Sequence, residues 1–316
     1  MGTHADPARG LHHASAQGRR EYAKDGAMQV GEKDGPCGSL TVDVGNTTTS
    51  LGLFAPDAAR DAEPVGTFEV TTPERLTADE ARLLVERALE VLGRDANAPA
   101  AATGRVGAIL SCVVPSLTEP WTRGLAAACG ARPLVVGPGL KTGIRMDYHD
   151  PSEVGPDRIA DAVSARETLG CPAIAVDLGT TVNMEVVDAR GAFAGGVIAP
   201  GLALGVRALA GAAARLPQIE LKVPTRVIGK STREAMLSGV VLGEAIRIDG
   251  LVRGIERELG CEAPVVMCGD GAQVIAGLLQ HPTTVDPTLT LRGLHLLYLM
   301  NARQQKTAPK ATKTRR

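Results

Sequence analysis

The chain has 316 residues, 44% hydrophobic, 22% charged and only 2% aromatic, with a formal net charge of −1. That length fits two domains of ordinary size, with cores filled by Ala, Val, Leu and Ile. The near-neutral charge argues against generic nucleic-acid or anionic-membrane binding. Six scattered cysteines without a C-x-x-C pair argue against a disulfide frame or zinc site and suit reduced thiols in a cytosol.

In chain order, residues 1–38 read as a polar, Gly-rich disordered extension without the apolar centre of a secretory signal. Thr41–Phe54 (TVDVGNTTTSLGLF) reads as strand, tight turn, strand. Val65–Val70 is expected to be a third strand. Thr77–Leu92 has helical apolar spacing, with Thr77 as N-cap and Glu80 three residues on. A buried strand follows at Gly107–Val114, then a helix at Leu117–Cys129 and a short strand at Pro133–Val136. Asp150–Leu169 opens with turn residues and continues as a helix. The plan then repeats, with strands at 173–178, 183–188 and 192–197. Helices are expected from Pro200 to about Ala214 and from about Ser231 to Leu259. Val265–Met267 is a short strand feeding Cys268–Gly271 and another helix, and the last helix is about Leu289–Ala302. The apolar zone 191–214 is broken by Gly, Pro200 and Arg207, so no membrane span is expected. Residues 304–316 read as a disordered basic tail, better explained as solvated than as a nucleic-acid contact.

Strands alternating with helices imply an α/β protein. Residues 175–188 (AVDLGTTVNMEVVD) repeat the first hairpin, and Val42/Val176, Asp43/Asp177, Gly45/Gly179 and Thr47/Thr181 align. The reading is therefore two related domains, 39–172 and 173–303, with a cleft between their hairpins. Tight Gly turns let backbone N–H groups approach phosphate oxygens, and Thr and Asn side chains add neutral donors. Asp43 and Asp177 would repel phosphate directly, so each is better used to hold a cation or its waters. Such a two-sided clamp suits phosphoryl transfer, although two ordinary polar hairpins would read alike. In Tyr148–Arg158 (YHDPSEVGPDR), Asp157 stands at a helix start. It is either a cap and dipole partner or a general base for an attacking hydroxyl, with Arg158 orienting an anionic substrate.

Three local patterns carry nothing. Gly229-Lys230-Ser231-Thr232 lacks the first Walker glycine, which would fall at Pro224. Gly269-Asp270-Gly271 lacks the third dinucleotide glycine, which would fall at Val274. His12-His13 lies in the leader.

The segments DVGNTTTSLGLF, RLTADE, SCVVPSL, YHDPSEVGPDRIADAV, DLGTT, GGVIAPGLAL, LPQIEL, VIGKSTREAMLSG and LTLRGLHLLYLMN occur in the order seen in type III pantothenate kinases. The chain resembles that family over about residues 39–302. The resemblance implies a duplicated actin-like fold, that of acetate and sugar kinases and the Hsp70 ATPase. It implies a cytoplasmic homodimer that phosphorylates pantothenate with ATP, Mg2+ and a monovalent cation, K+ or ammonium, in the first step of coenzyme A synthesis. By resemblance, Asp43, Val44, Gly45, Asn46, Thr47, Thr48, Thr49 and Ser50 form the first phosphate loop, with Asp43 serving Mg2+ indirectly. Thr180 contacts ATP, and Asp177 binds the monovalent cation. Asp157 is the proton acceptor. Tyr148, Gly155, Pro156, Asp157 and Arg158 form the pantothenate pocket, and Thr232 completes it across the dimer. The chain departs from the family pattern at Thr181, Asn183 and Glu185, where Ala, Thr and Asp are usual. It departs again at Cys268-Gly269-Asp270, where Thr-Gly-Gly is usual. These departures fall on the nucleotide side and leave room for weak ATP affinity, a different phosphoryl donor or lost activity, so a ligand-binding regulatory relative is the rival reading. A kinase of another small hydroxy compound is a third, against which the pantothenate-side match argues.

Overall fold

The computed structural model describes residues 38–93, 106–212, 216–217 and 219–305. The expected leader up to residue 37 and the tail from residue 306 lie outside the described residues. The first sheet contains β1 (Ser39–Val44), β2 (Thr48–Phe54), β3 (Gly66–Thr71), β4 (Gly107–Cys112) and β5 (Leu134–Val135), ordered β3-β2-β1-β4-β5. Between these strands come α1 (Ala78–Leu92) and α2 (Pro115–Cys129). A two-residue strand β6 (Arg145–Met146) and helix α3 (Pro156–Leu169) lead into β7 (Ala173–Leu178), β8 (Thr181–Val187) and β9 (Ala192–Pro200). Next come α4 (Leu202–Ala212), α5 (Thr232–Leu237) and α6 (Gly243–Leu259), then β10 (Val265–Gly269), α7 (Ala272–Ala276), β11 (Thr283–Val285) and α8 (Leu289–Gln305). The second sheet is ordered β11-β10-β7-β8-β9-β6.

The two sheets share one plan. β1 runs antiparallel to β2 and parallel to β4, and β7 runs antiparallel to β8 and parallel to β10. Period-2 alternation gives each central strand two different faces. Leu40, Val42 and Val44 point into a core with α1 and α2. Ile174, Val176 and Leu178 point into a core that includes Ile248 and Val252 of α6. A third core, between the sheets, joins α3 and α8 to Ile109, Ala173, Ala175 and Val266. In that central layer α3 packs on β7 and β8 while α8 packs on β1, β2 and β4. The two helices cross closely at Gly293, where a side chain would run into the Ala160 carbonyl.

Most sequence expectations hold. Thr77 caps α1 with the reciprocal Glu80 contact that its spacing predicts. Two short strands, β6 and β11, were not expected, because two or three residues carry no periodic signal. The single long helix expected over 231–259 is three pieces. α5 and α6 flank a π-helical turn at Ser238–Leu242, rich in Gly and Val. Pro156 occupies the first turn of α3, where its missing N–H costs nothing.

In the central layer His295 of α8 is 1% exposed and stacks on Phe54, with ring centroids 4.1 Å apart. Its Nδ1 lies 3.0 Å from the Ser39 hydroxyl. Burial holds the imidazole below its ordinary 6.5, opposed in part by the backbone of Ala59 and Ala58. The folded chain therefore favours the neutral ring. Below about pH 6.5 the unfolded chain binds the extra proton, and stability falls. Wild type should lose stability relative to His295→Phe as pH drops from 7 to 5, measured by urea unfolding. Parallel pH profiles for the two proteins would reject this account.

Candidate active site

Each hairpin brings one aspartate to the end of a central strand, on the inner face. Asp43 pairs with Ser50 across β2 and with Ser111 across β4. Asp177 pairs with Asn183 across β8 and with Cys268 across β10. The turns differ in length. Gly45 N–H donates to Thr48 O, whereas Gly179 N–H donates to Thr181 O, so the second turn is one residue shorter. The expected Thr47/Thr181 equivalence therefore slips by one. Thr47 Oγ1 instead meets Thr180 Oγ1 at 2.8 Å, joining the tips of the two hairpins. Asn46 and Thr47 are exposed at the first tip. Val44 and Thr49 turn their side chains inward from the tip, Val44 into the outer core and Thr49 Oγ1 to Thr72 Oγ1 at 2.8 Å. These two can offer a ligand only backbone.

The start of α3 supplies the third carboxylate. Gly155 is the N-cap, and Asp157 follows in the first turn. Asp157 Oδ1 accepts the N–H of Arg158 at 2.8 Å, which fixes one oxygen of the carboxyl group. The Arg158 side chain is buried, and its Nε donates to Glu185 Oε1 at 2.7 Å. Its guanidinium stands 5.8 Å from the centre of the Phe193 ring, and Tyr148 packs on the same ring at 5.9 Å. Tyr148, Gly155, Pro156, Asp157 and Arg158 are thus one neighbourhood, as the motif implies. Thr232 is not among them. It is exposed at the start of α5, which packs against the π-helical turn.

Negative charge dominates the site. Burial pushes the Asp43 carboxyl up to about 7, helped by the charges of Asp157 and Asp177 and opposed by the Ser111 hydroxyl. Burial raises Asp177 to about 6, opposed by the Cys268 thiol and aided by Asp157 and Asp270. Burial also raises Asp157, against the Arg158 N–H and charge. Glu185 is raised by burial despite Arg158, with Asp177 and Asp157 adding to the effect. Asp161, one turn after Asp157 and 1% exposed, is raised by burial and by Asp177 and Glu185, while Thr290 Oγ1 donates to it at 2.7 Å. One oxygen of Asp43 and one of Glu185 are buried without a hydrogen-bond partner. Sequence reading missed Asp161, Ser111 and the Cys268 contact. The i, i+4 spacing of Asp157 and Asp161 was the available signal.

Cys268 and Gly269 explain a departure from the family pattern. The thiol donates to Asp177 Oδ1 at 3.5 Å, a role a hydroxyl would also fill. Gly269 has φ +86, and a side chain there would run into the Leu178 carbonyl and stand 2.6 Å from Asp177 Oδ1. The close packing therefore requires the glycine that the chain shares with the family at 269. Asp270 turns its side chain outward while its N–H donates to Leu178 O.

Two equivalent sheets, each presenting an Asp-bearing hairpin to one cleft, define a duplicated actin-like phosphotransferase fold. Residues 39–254 match the type III pantothenate kinase family. A type III pantothenate kinase of Moorella thermoacetica is 37% identical over 262 residues, covering 83% of this chain and 99% of that protein. One from Acidothermus cellulolyticus is 39% identical over 263 residues, covering 83% and 98%. A solved structure described as a Baf family transcriptional activator from Campylobacter jejuni shares the fold. Its TM-score is 0.53 at 17% identity, covering 84% of this chain and 99% of that one. The chain belongs to the type III pantothenate kinase family.

The Arg158–Glu185 pair is nearly fully buried, with side-chain exposures of 8% and 0%. Removing one partner strands the other charge. Glu185→Ala should destabilise the fold by about 3 kcal/mol in urea unfolding, and adding Arg158→Met should recover part of the loss. A single mutant as stable as wild type would mean that the pair contributes nothing.

Proposed function

We propose that this chain is an ATP-dependent pantothenate kinase, forming 4'-phosphopantothenate in the first step of coenzyme A synthesis. The observation that carries the reading is Asp157. It is a carboxyl group whose pKa is raised by burial, held by the Arg158 N–H, and its charge acts on the aspartates of both hairpins, Asp43 and Asp177. A base with a raised pKa is matched to taking a proton from an alcohol near neutral pH. Asp157 takes the proton of the terminal hydroxyl, that oxygen bonds to the γ-phosphorus of ATP, and ADP leaves with the displaced bridging oxygen. The backbone of Gly45 to Thr48 and the hydroxyls of Thr47 and Thr180 bind the phosphates. Tyr148, the turn Gly155–Arg158 and the Phe193 ring border the acceptor.

The residues fit a nucleotide-borne Mg2+ better than a protein-built metal cage. Among the described residues no three His, Cys, Asp or Glu side chains gather into a metal site. The unpartnered Asp43 oxygen can instead face the ion's waters. When bound with ATP, Mg2+ neutralises charge on the phosphates. Asp177, buried and raised, is assigned the monovalent cation, K+ or ammonium. The chain divides functionally near residues 172 and 173, giving one aspartate-bearing hairpin to each half, and it works in the cytoplasm. No helix among the described residues is long and apolar enough to cross a membrane.

In a coupled assay with pantothenate, ATP, Mg2+ and K+, Asp157→Asn should lower turnover by roughly 10²–10⁴-fold at unchanged circular dichroism. Near-normal turnover in the mutant would remove Asp157 as the base. Wild-type protein that binds pantothenate without turnover would support the regulatory reading, for which Asp270 beside the nucleotide loop is the observation.

Dimerisation is supported by α4. Its sequence LALGVRALAGA is strongly apolar, yet none of its residues is buried in the single chain. Val227 and Ile228, before Thr232, are 69% and 71% exposed. A second copy covering these surfaces would also explain how Thr232 reaches a substrate. Light scattering should give a dimer for wild type and a monomer for Ile228→Glu with Val227→Glu. A monomeric wild type would end the proposed role of Thr232 across an interface.

A further inference from the structure

A row of side chains crosses the second sheet at the level of its hairpin tip. Cys268 is opposite Asp177, Asp177 opposite Asn183, and Asn183 opposite Ile198. Directly opposed residues stand on the same face of a sheet. The row therefore runs thiol, carboxylate, carboxamide, hydrocarbon on the face that also carries Glu185. The first three are engaged: the thiol donates to Asp177, and Asn183 Oδ1 accepts from Thr181 Oγ1 at 3.2 Å. Ile198 has no such role, and it is 62% exposed on the floor of the site.

The ground between Ile198 and Arg158 is bare. Gly196 precedes Ile198 by two residues and so shares its face. A side chain at Gly196 would run into the Met184 carbonyl and stand 2.9 Å from Arg158 Nη2. Glycine therefore lets Arg158 pack against the β9 backbone, and Gly196, itself exposed, leaves only backbone between the guanidinium and Ile198 for a ligand's carbon chain to lie on. Strands are about 4.8 Å apart, so Ile198 stands about 10 Å from Asp177 along the row. An exposed branched hydrocarbon at that place gains free energy only when another apolar group covers it.

Resting on the kinase reading, we propose that Ile198 is a specificity-determining residue, the apolar wall for the dimethyl-bearing carbon next to the acceptor's reacting hydroxymethyl group. With that hydroxyl at Asp157, the neighbouring carbon enters the bare strip, and its two methyl groups are the part of the acceptor that Ile198 can recognise. Asn183 sets the boundary, with amide on the phosphoryl side and hydrocarbon beyond.

The test compares pantothenate with an analogue lacking both methyl groups, on wild type and Ile198→Ala. Turnover gives KM and kcat, and calorimetry gives Kd. Wild type should prefer pantothenate by about tenfold or more, as apolar pockets discriminate missing methyls. Ile198→Ala should bring that ratio to within about twofold while KM for ATP stays near the wild-type value. Equal discrimination by both proteins would overturn the proposal. So would an Ile198→Ala protein that becomes monomeric at an unchanged ratio, because Ile198 would then cover a second copy. Absence of turnover in wild type would count against the kinase reading alone, since the ratio of Kd values still decides the role of Ile198. Absence of pantothenate binding would overturn both.

Discussion

Five carboxyl groups, Asp43, Asp157, Asp161, Asp177 and Glu185, act on one another around a single buried guanidinium, that of Arg158. The rest of the site follows from that imbalance. A buried carboxylate without a counter-charge is costly, and the group gains a proton instead. The raised values at Asp43, Asp157, Asp161 and Asp177 share that cause. A site of this kind would repel a polyphosphate if left alone, and it becomes hospitable when cations arrive with the ligand. The groups at the hairpin tips are neutral, backbone N–H and hydroxyl, so in the proposed kinase reading they are the donors that would meet phosphate.

Duplication explains why there are two hairpins, and small differences in sequence and turn length set them apart. Ser111 and Cys268 occupy the same place beside the two aspartates, as do Ser50 and Asn183. One residue fewer in the second turn aligns Thr180 rather than Thr181 with Thr47. A repeat recognised by counting residues from the aspartate gives the right strands and the wrong partner past the turn. The register of a hairpin is set by its loop, not by the numbering upstream.

Much of the fold was legible because its signals are local. The capping box at Thr77 and Glu80, the alternation in β1 and β7 and the glycines of both turns each state a conformation within a few residues. The neighbourhood of Tyr148 and Asp157 was legible for the same reason, being one continuous segment. Asp161 was not, because an acidic residue within an amphipathic helix looks like surface until packing buries it against Thr290. Nor was Ile198, since an apolar residue in a strand reads as core, and only the sheet register shows it facing the cleft. β6 escaped because its pairing with Ala192–Phe193 is tertiary and leaves no trace in two residues.

The central layer shows where the two halves stop being copies. Gly52 and Glu185 are equivalent by register, lying opposite Thr41 and Ala175, each two residues before an aspartate. A Cβ at Gly52 would stand 3.2 Å from Leu291 Cδ1 of α8, so there the space is filled by hydrocarbon from the last helix. At Glu185 the same space receives Arg158 of α3. The first sheet is thus covered by α8 and the second by α3, the helix that carries Asp157 and Arg158. The exchange also ties the halves together, since α3 comes from the first half and α8 from the second. The Arg158–Glu185 pair fixes the start of α3, and with it Asp157, to the second sheet, while α3 also packs along α8. Asp157 and Asp177 are thereby held against one sheet, and the hydroxyl contact between Thr47 and Thr180 joins the tip of the first hairpin to that of the second.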